Sequence, residues 1–266
     1  MSEGGRLLEQ KQGPVTTLTI HRPEKRNALS PSCLMDMCDK FEALLREDRV
    51  SVVVIRGAGR EAFSAGYDIG SLPTGDTGAR RPDPGEKSPL DLAIESIRHF
   101  PYPVIAMVNG YAYGGGCELA VACDIRIAAR HARMGVPAAK LGVLYRYRGI
   151  RLFHTVLGYD RTLEILLSGR RYDSESCLRM GLVNDVVESD RLEDVTYGLA
   201  EEMAENAPLS LRGTKSILNA MARYPVLPQE QIAQFDALRT QAMQSEDMAE
   251  GKRAFREKRK PRWKGR

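Results

Sequence analysis

The chain has 266 residues, 42% of them hydrophobic, with a formal charge of +4. That length suits one large domain, or one domain with a helical appendage, around a sizeable core. The charge is too mild, and the basic and aromatic residues too scattered, for a nucleic-acid binder, and no apolar run approaches the length of a membrane span. Met1 to Arg6 carry no signal-peptide core. The five cysteines (Cys33, Cys38, Cys117, Cys123 and Cys177) sit inside apolar segments and read as buried thiols, so a reducing, cytoplasmic setting is expected. Their spacing gives no zinc pattern and His21, His99, His131 and His154 do not cluster with them, so no metal is expected.

In chain order, Val15 to Ile20 alternates as a first strand. Ser30-Pro31 then offers a helix N-cap with proline at the first helical position. Leu34, Met37, Phe41 and Leu44 continue at helical spacing to about Glu47. Ser51 to Arg56 reads as a buried strand leading through Gly57-Ala58-Gly59 to Ala62–Ile69. There the small Ser64-Ala65-Gly66 triplet leaves the backbone open to a ligand and makes the Tyr67 N–H a candidate donor. Residues 71–89, rich in Gly, Pro, Asp and Arg, read as a mobile surface segment, either a lid or a passive loop. A helix is expected over Asp91 to Phe100.

Val104 to Val108 is a buried strand that stops at Asn109-Gly110 and passes Tyr111 and Tyr113. It then meets Gly114-Gly115-Gly116 and enters a helix at Cys117-Glu118. Three glycines at a strand-to-helix switch leave N–H groups uncovered at a positive helix end, which is equipment for holding an anionic oxygen. Glu118 follows within one turn, either as a general base or as an ordinary acidic residue complementing the helix end. After Cys123 comes a strand over Ile125 to Ala129. From Tyr159 the pattern turns helical, over Arg161–Leu167, Ser174–Met180, Arg191–Asn206, Leu209–Ala222 and Gln229–Gln244, with one strand near Leu182–Val187. The basic end, Lys252 to Arg266, reads on its own as a solvated tail.

The residues Arg22 to Ser30, Phe63 to Asp68, Pro103 to Glu118, Asp124, Leu141-Gly142 and Phe255 to Trp263 resemble the crotonase family, also called the enoyl-CoA hydratase/isomerase family, in register along nearly the whole chain. The resemblance implies an α/β fold: a spiral of ββα turns over residues 1–200 that binds acyl-CoA and carries catalysis, then a helical region over 201–266 that forms trimers or hexamers and covers the CoA site. It implies that the N–H groups of Tyr67 and Gly115 hold a thioester oxygen and that Glu118 is the acid–base residue. It places Lys25, Arg26 and Ala28 at the nucleotide end of CoA, and Ala65, Asp68 and Ile69 at adenine and the pantetheine arm. CoA then enters as the substrate's carrier, and no permanently bound cofactor is expected. The basic tail becomes a cover for the CoA phosphates.

One segment departs from the family pattern. Typical hydratases carry a second glutamate after the proline of Gly135-Val136-Pro137; here the residue is Ala138. Tyr145-Arg146-Tyr147-Arg148-Gly149 replaces a Pro-Gly-X-Gly-Gly run. Simple double-bond isomerisation is therefore disfavoured. Either Glu118 works alone, or Tyr145, Arg146 or Tyr147 contributes, with an arginine able to clamp a substrate carboxylate; otherwise the four side chains merely rebuild a rigid loop. The leading reading is an enoyl-CoA hydratase-like lyase. Its rivals are a decarboxylase or C–C hydrolase acting on a CoA thioester, and a catalytically silent CoA-binding or scaffold protein. Cys117 and Cys123 are expected to pack the core, without an activating histidine.

Overall fold

After the first three strands, which share one sheet, the next five alternate between two sheets, with helices between turns. The computed structural model describes residues 6–47, 51–68, 86–141, 143–222, 244–257 and 259–265, with isolated helical positions between 230 and 241. The larger sheet runs β1 (Arg6–Gln12), β2 (Val15–His21), β3 (Val52–Gly57), β5 (Val104–Val108), β7 (Ile125–Ala129) and β10 (Asp185–Val187), in that spatial order. All neighbours are parallel except the β1–β2 hairpin. The smaller sheet takes the three-residue strands β4 (Ala62–Ser64), β6 (Tyr111–Tyr113), β8 (Arg133–Gly135) and β9 (Arg171–Asp173).

The period-two geometry of β3 and β5 explains why their apolar runs are continuous. Val53, Ile55, Val104 and Ala106 face one cluster, which also takes Leu34, Met37 and Phe41 of α1 (Pro31–Leu44) and Ile97 of α2 (Pro89–His99). Val52, Val54, Ile105 and Met107 face the opposite side, where Leu192 and Ala200 of α6 (Leu192–Ala204) cover them. A strand buried on both faces has no polar alternation to show. The helix α6 runs through residue 200, so the boundary expected there falls inside a helix that covers the spiral.

Two buried asparagines hold the loops that follow β3. Asn109 Oδ1 accepts the Gly57 N–H at 3.0 Å, while its amide donates to the carbonyls of Gly57 and Gly59. Asn27 donates to the carbonyls of Ala58 and Ala62. Further helices are α3 (Gly115–Ala122), α4 (Tyr147–Ser168), α5 (Ser174–Met180), α7 (Pro208–Met221) and α8 (Glu246–Glu257). Helix α4 begins fourteen residues earlier than the apolar periodicity suggests and bends at Gly158, whose φ is 74°. The helix expected over Gln229–Gln244, the segment 71–85 and Ile69 lie outside the described residues, wholly or nearly so.

The C-terminal helices are docked by buried polar contacts. Lys215 of α7 donates to Asp124 Oδ2 at 2.6 Å and to the Tyr102 carbonyl at 2.9 Å. Asn219 reaches the Arg98 carbonyl at 2.7 Å. The basic end is not a solvated tail. It folds back on α8, where buried Glu250 accepts from Arg253, Arg259 and the Arg262 N–H, and Asp247 accepts from the N–H groups of Lys264 and Gly265. The Trp263 indole donates to the Glu205 carbonyl, and Lys260 pairs with Glu205.

The guanidinium of Arg259, followed by Arg253 and the Arg262 N–H, holds Glu250 far below the usual carboxyl range. Its stabilising contribution is therefore present at neutral pH and is lost on acidification. The variant Glu250→Gln should release the hook, with tryptic cleavage after Arg262 several-fold faster than in the parent at pH 7. Equal cleavage rates would show that the hook does not depend on this carboxylate.

Candidate active site

The glycine turn between β6 and α3 and the loop after β4 meet at the centre of the molecule. Gly114, with φ 52° and ψ −121°, is the N-cap of α3 and adopts a backbone that L side chains rarely take. Gly115 is the first helical residue, where an N–H has no intrahelical partner. Across from it, Leu29 and Tyr67 form an isolated parallel bridge, with Leu29 N–H donating to the Gly66 carbonyl and Asp68 N–H to the Leu29 carbonyl. That pattern leaves the Tyr67 N–H turned the other way, toward the glycine turn. A Cβ on Gly115 would stand 3.3 Å from the Tyr67 nitrogen, and one on Gly66 would stand 3.3 Å from the Gly115 nitrogen. The two N–H groups picked out in the sequence are therefore brought together.

Glu118 lies one turn into α3 and is 6% exposed. Its backbone N–H closes the first helical bond to Gly114, while its carboxyl accepts no hydrogen bond among the described residues. Burial, reinforced by the carboxylate of Asp91, pushes its pKa up to about 8. The positive helix end pulls the other way, and burial wins. A glutamate that merely complements a helix end stays solvated with a low pKa, and Glu118 does neither.

The four-residue departure from the family pattern divides into separate tasks. Arg146 donates to the Glu86 carbonyl at 2.8 Å and approaches Asp91 Oδ2 at 3.5 Å, and Arg148 reaches Glu95 at 3.3 Å. Asp91 closes a capping box with Ser88 at the start of α2, so both arginines strap the α4 N-terminus to α2. The Tyr147 side chain is 73% exposed. Only Tyr145 stands at the glycine turn. A Cβ on Gly114 would be 3.8 Å from its hydroxyl, and a Cβ on Gly149 would be 3.1 Å from its ring and 2.5 Å from Glu118 Oε1. Burial, then the charge of Glu118, holds the Tyr145 phenol above its ordinary value. Tyr145 and Ala138 also line one wall of an apolar cavity of about 700 Å³ that continues to Leu144, Leu163 and Leu167.

The residues expected at CoA lie on two knitted loops. Ala65 N–H donates to the Arg26 carbonyl at 2.9 Å. Lys25 and Ala65 are exposed, and Ala28 is buried. The Arg26 side chain is paired with Glu61 at 2.7 Å, and Asp68 with Arg22 at 2.7 Å. Asn27, Asn109 and Arg22, which place these loops, escaped the sequence reading as structural residues; their signal was only that each is polar within an apolar or turn segment. Burial pushes the thiols of Cys123 and Cys177 up to about 12, so neither is a nucleophile. Among the described residues no cluster of His, Cys, Asp or Glu is suited to a metal ion.

Two sheets wound by ββα turns, with a glycine turn at the centre, define the crotonase fold. The sequence profile of the enoyl-CoA hydratase/isomerase family matches residues 10–266. A carnitinyl-CoA dehydratase of Citrobacter koseri is 36% identical over 258 residues, covering 96% of this chain and 97% of that protein. A crystal structure described as an enoyl-CoA hydratase/carnithine racemase from Magnetospirillum magneticum superposes with a TM-score of 0.88 at 32% identity, covering 98% of this chain and 96% of the other. An enoyl-CoA hydratase structure from Bacillus anthracis gives 0.85 at 28% identity, covering 98% and 100%. The chain belongs to the enoyl-CoA hydratase/isomerase family, whose members act on acyl-CoA thioesters. No helix among the described residues is long and apolar enough to cross a membrane.

The raised value of Glu118 has a stability consequence whose sign is fixed. Between the ordinary carboxyl value and about 8 the folded state binds more protons than the unfolded one, so stability falls as pH rises through that window and levels above it. Glu118→Gln should melt higher than the parent above pH 8, by an amount reflecting a few kcal/mol. The gap should close toward about pH 5. A gap independent of pH in thermal melts would contradict the raised value.

Proposed function

We propose that this chain interconverts an enoyl-CoA and its β-hydroxyacyl-CoA, with Glu118 moving the proton and the N–H groups of Tyr67 and Gly115 holding the thioester oxygen. In dehydration the Glu118 carboxylate takes the α-proton, and the C–H electrons form an enolate whose oxygen lies between the two donors. Collapse of the enolate makes the Cα=Cβ bond and expels the β-hydroxyl, which leaves as water with the proton Glu118 carries. Hydration is the reverse. A preorganised donor of this kind contributes about 3–4 kcal/mol to the transition state. The observation that carries the reading is the buried Glu118 carboxyl, unbonded and tuned near neutrality beside two convergent N–H groups. The dehydratase name of the Citrobacter koseri relative supports it.

A decarboxylase or C–C hydrolase that clamped a substrate carboxylate with Arg146 or Arg148 is disfavoured, because both are already engaged with Asp91, Glu86 and Glu95. A silent CoA binder has no use for a buried carboxyl without a hydrogen-bond partner, which costs stability. CoA itself is assigned to the knitted loops, with Lys25, Arg26 and Ala28 at its nucleotide end and Ala65, Asp68 and Ile69 along adenine and pantetheine. It enters as substrate carrier, without a resident cofactor. The exposed Leu163, Leu167, Leu218 and Met221 on α4 and α7 support a trimer or a dimer of trimers formed through the C-terminal region.

With a short trans-2-enoyl-CoA, Glu118→Gln should lose at least about 10²-fold in turnover with CoA affinity little changed. The parent's rate should rise with pH through about 8, since the base acts ionised. Turnover of the variant within a few-fold of the parent would sink the assignment. Sedimentation velocity should show a trimer or hexamer at micromolar concentration, and a monomer there would overturn the assembly.

A further inference from the structure

We propose that the Tyr145 hydroxyl is the second polar group of this site, a neutral hydrogen-bond donor to the β-oxygen of the substrate or to the attacking water. The proposal rests on the hydration–dehydration reading above. Tyr145 stands where both halves of the site meet, its hydroxyl beside Gly114 and its ring edge beside the Glu118 carboxyl over Gly149. Its hydroxyl makes no hydrogen bond among the described residues. Two other tyrosines have hydroxyl partners, Tyr172 with Ser168 at 3.1 Å and Tyr197 with Thr17 at 3.0 Å. Tyr145 is half-buried, and its unpartnered hydroxyl beside the glycine turn is open to a group that arrives with the substrate.

Its orientation is set before anything binds. The ring packs on Phe153 with centroids 6.3 Å apart. The next residue, Arg146, and then Arg148 strap the helix start to α2. The raised phenol value means that the group donates its hydrogen bond and keeps its proton. Ala138, on the same cavity wall, offers only a methyl group. The division of labour follows. Glu118 carries the single proton between Cα and the β-oxygen, and Tyr145 fixes that oxygen in line with Cβ throughout. No proton leaves Tyr145, so the step balances without a second base.

The test is steady-state hydration of a short trans-2-enoyl-CoA by the full-length parent, Tyr145→Phe and Glu118→Gln, with thermal melts and pH profiles. Phenylalanine retains the ring contact with Phe153. Tyr145→Phe should lower kcat about 10- to 100-fold. Its KM and melting temperature should be unchanged, and the acid limb set by Glu118 should stay in place. Parent-like kcat in Tyr145→Phe with an inactive Glu118→Gln overturns this proposal and spares the function above. A loss that comes with a raised KM and a lowered melting temperature also overturns it, because the ring then serves packing alone. An alkaline limb present in the parent and absent in Tyr145→Phe overturns the neutral role. Activity in both variants removes the function on which the proposal rests.

Discussion

The close approach of two backbone segments is the constraint on which the rest of this molecule depends. A Cβ on Gly116 would stand 2.5 Å from the Ser64 carbonyl oxygen, and one on Gly66 the same distance from that of Tyr113. No side chain fits at either place without moving main chain. The seam between β4 and the start of α3 therefore closes only with glycine, and its closure puts the Tyr67 and Gly115 nitrogens side by side. The mutual placement of these two main-chain N–H groups depends on the seam staying shut, because a backbone donor has no rotamer that could compensate.

Apolar packing of Phe63, Ala112 and Cys117 lines the seam, and buried amides and charges hold the segments around it. Asn109 spans Gly57 and Gly59, and Asn27 spans Ala58 and Ala62. Each side chain satisfies carbonyls at the end of β3, the start of β4 or the loop between them, and leaving one unpaired would cost about 1–3 kcal/mol. Lys215 does the same at longer range by joining α7 to Asp124, which also accepts the Val104 N–H at 2.8 Å at the start of the central strand. The C-terminal helix is thus coupled to the strand that leads into the glycine turn. Through Arg146, Arg148 and Asp91, α4 and α2 are coupled to the same place from the other side.

What could be read from the chain alone follows from length and local chemistry. Val52–Ile55 and Val104–Val108 are long apolar runs, and the three glycines before Glu118 announce a strand-to-helix switch, so the central strands and the glycine turn were legible. The smaller sheet was not, because three residues such as Arg133–Gly135 show no period. Strand β1, Arg-Leu-Leu-Glu-Gln-Lys-Gln, is a mostly exposed edge and reads as polar. Tyr147 to Arg151 open a helix whose polar character hides it until the partners on α2 are known. The folded-back tail depends on Glu250, 9 residues before Arg259, and on Glu205, 55 residues before Lys260, and no local pattern marks those pairings.

The pairing of one carboxyl with one phenol also has an electrostatic logic. Glu118 is already raised by burial and by Asp91, which is itself buried at the start of α2. A further carboxylate facing this dry space from position 138 would either repel the two present or hold its proton. Repulsion would draw the working value of Glu118 further from neutrality, and a group that held its proton would add no second base. A phenol supplies a donor without a charge, so the field at Glu118 changes little. The strap of Arg146 and Arg148 supports this arrangement, because its two cations are paired with Asp91 and Glu95 of α2 and neither is paired with Glu118. The site therefore keeps a single titrating group at its centre, and its chemistry is governed by how dry that group is kept.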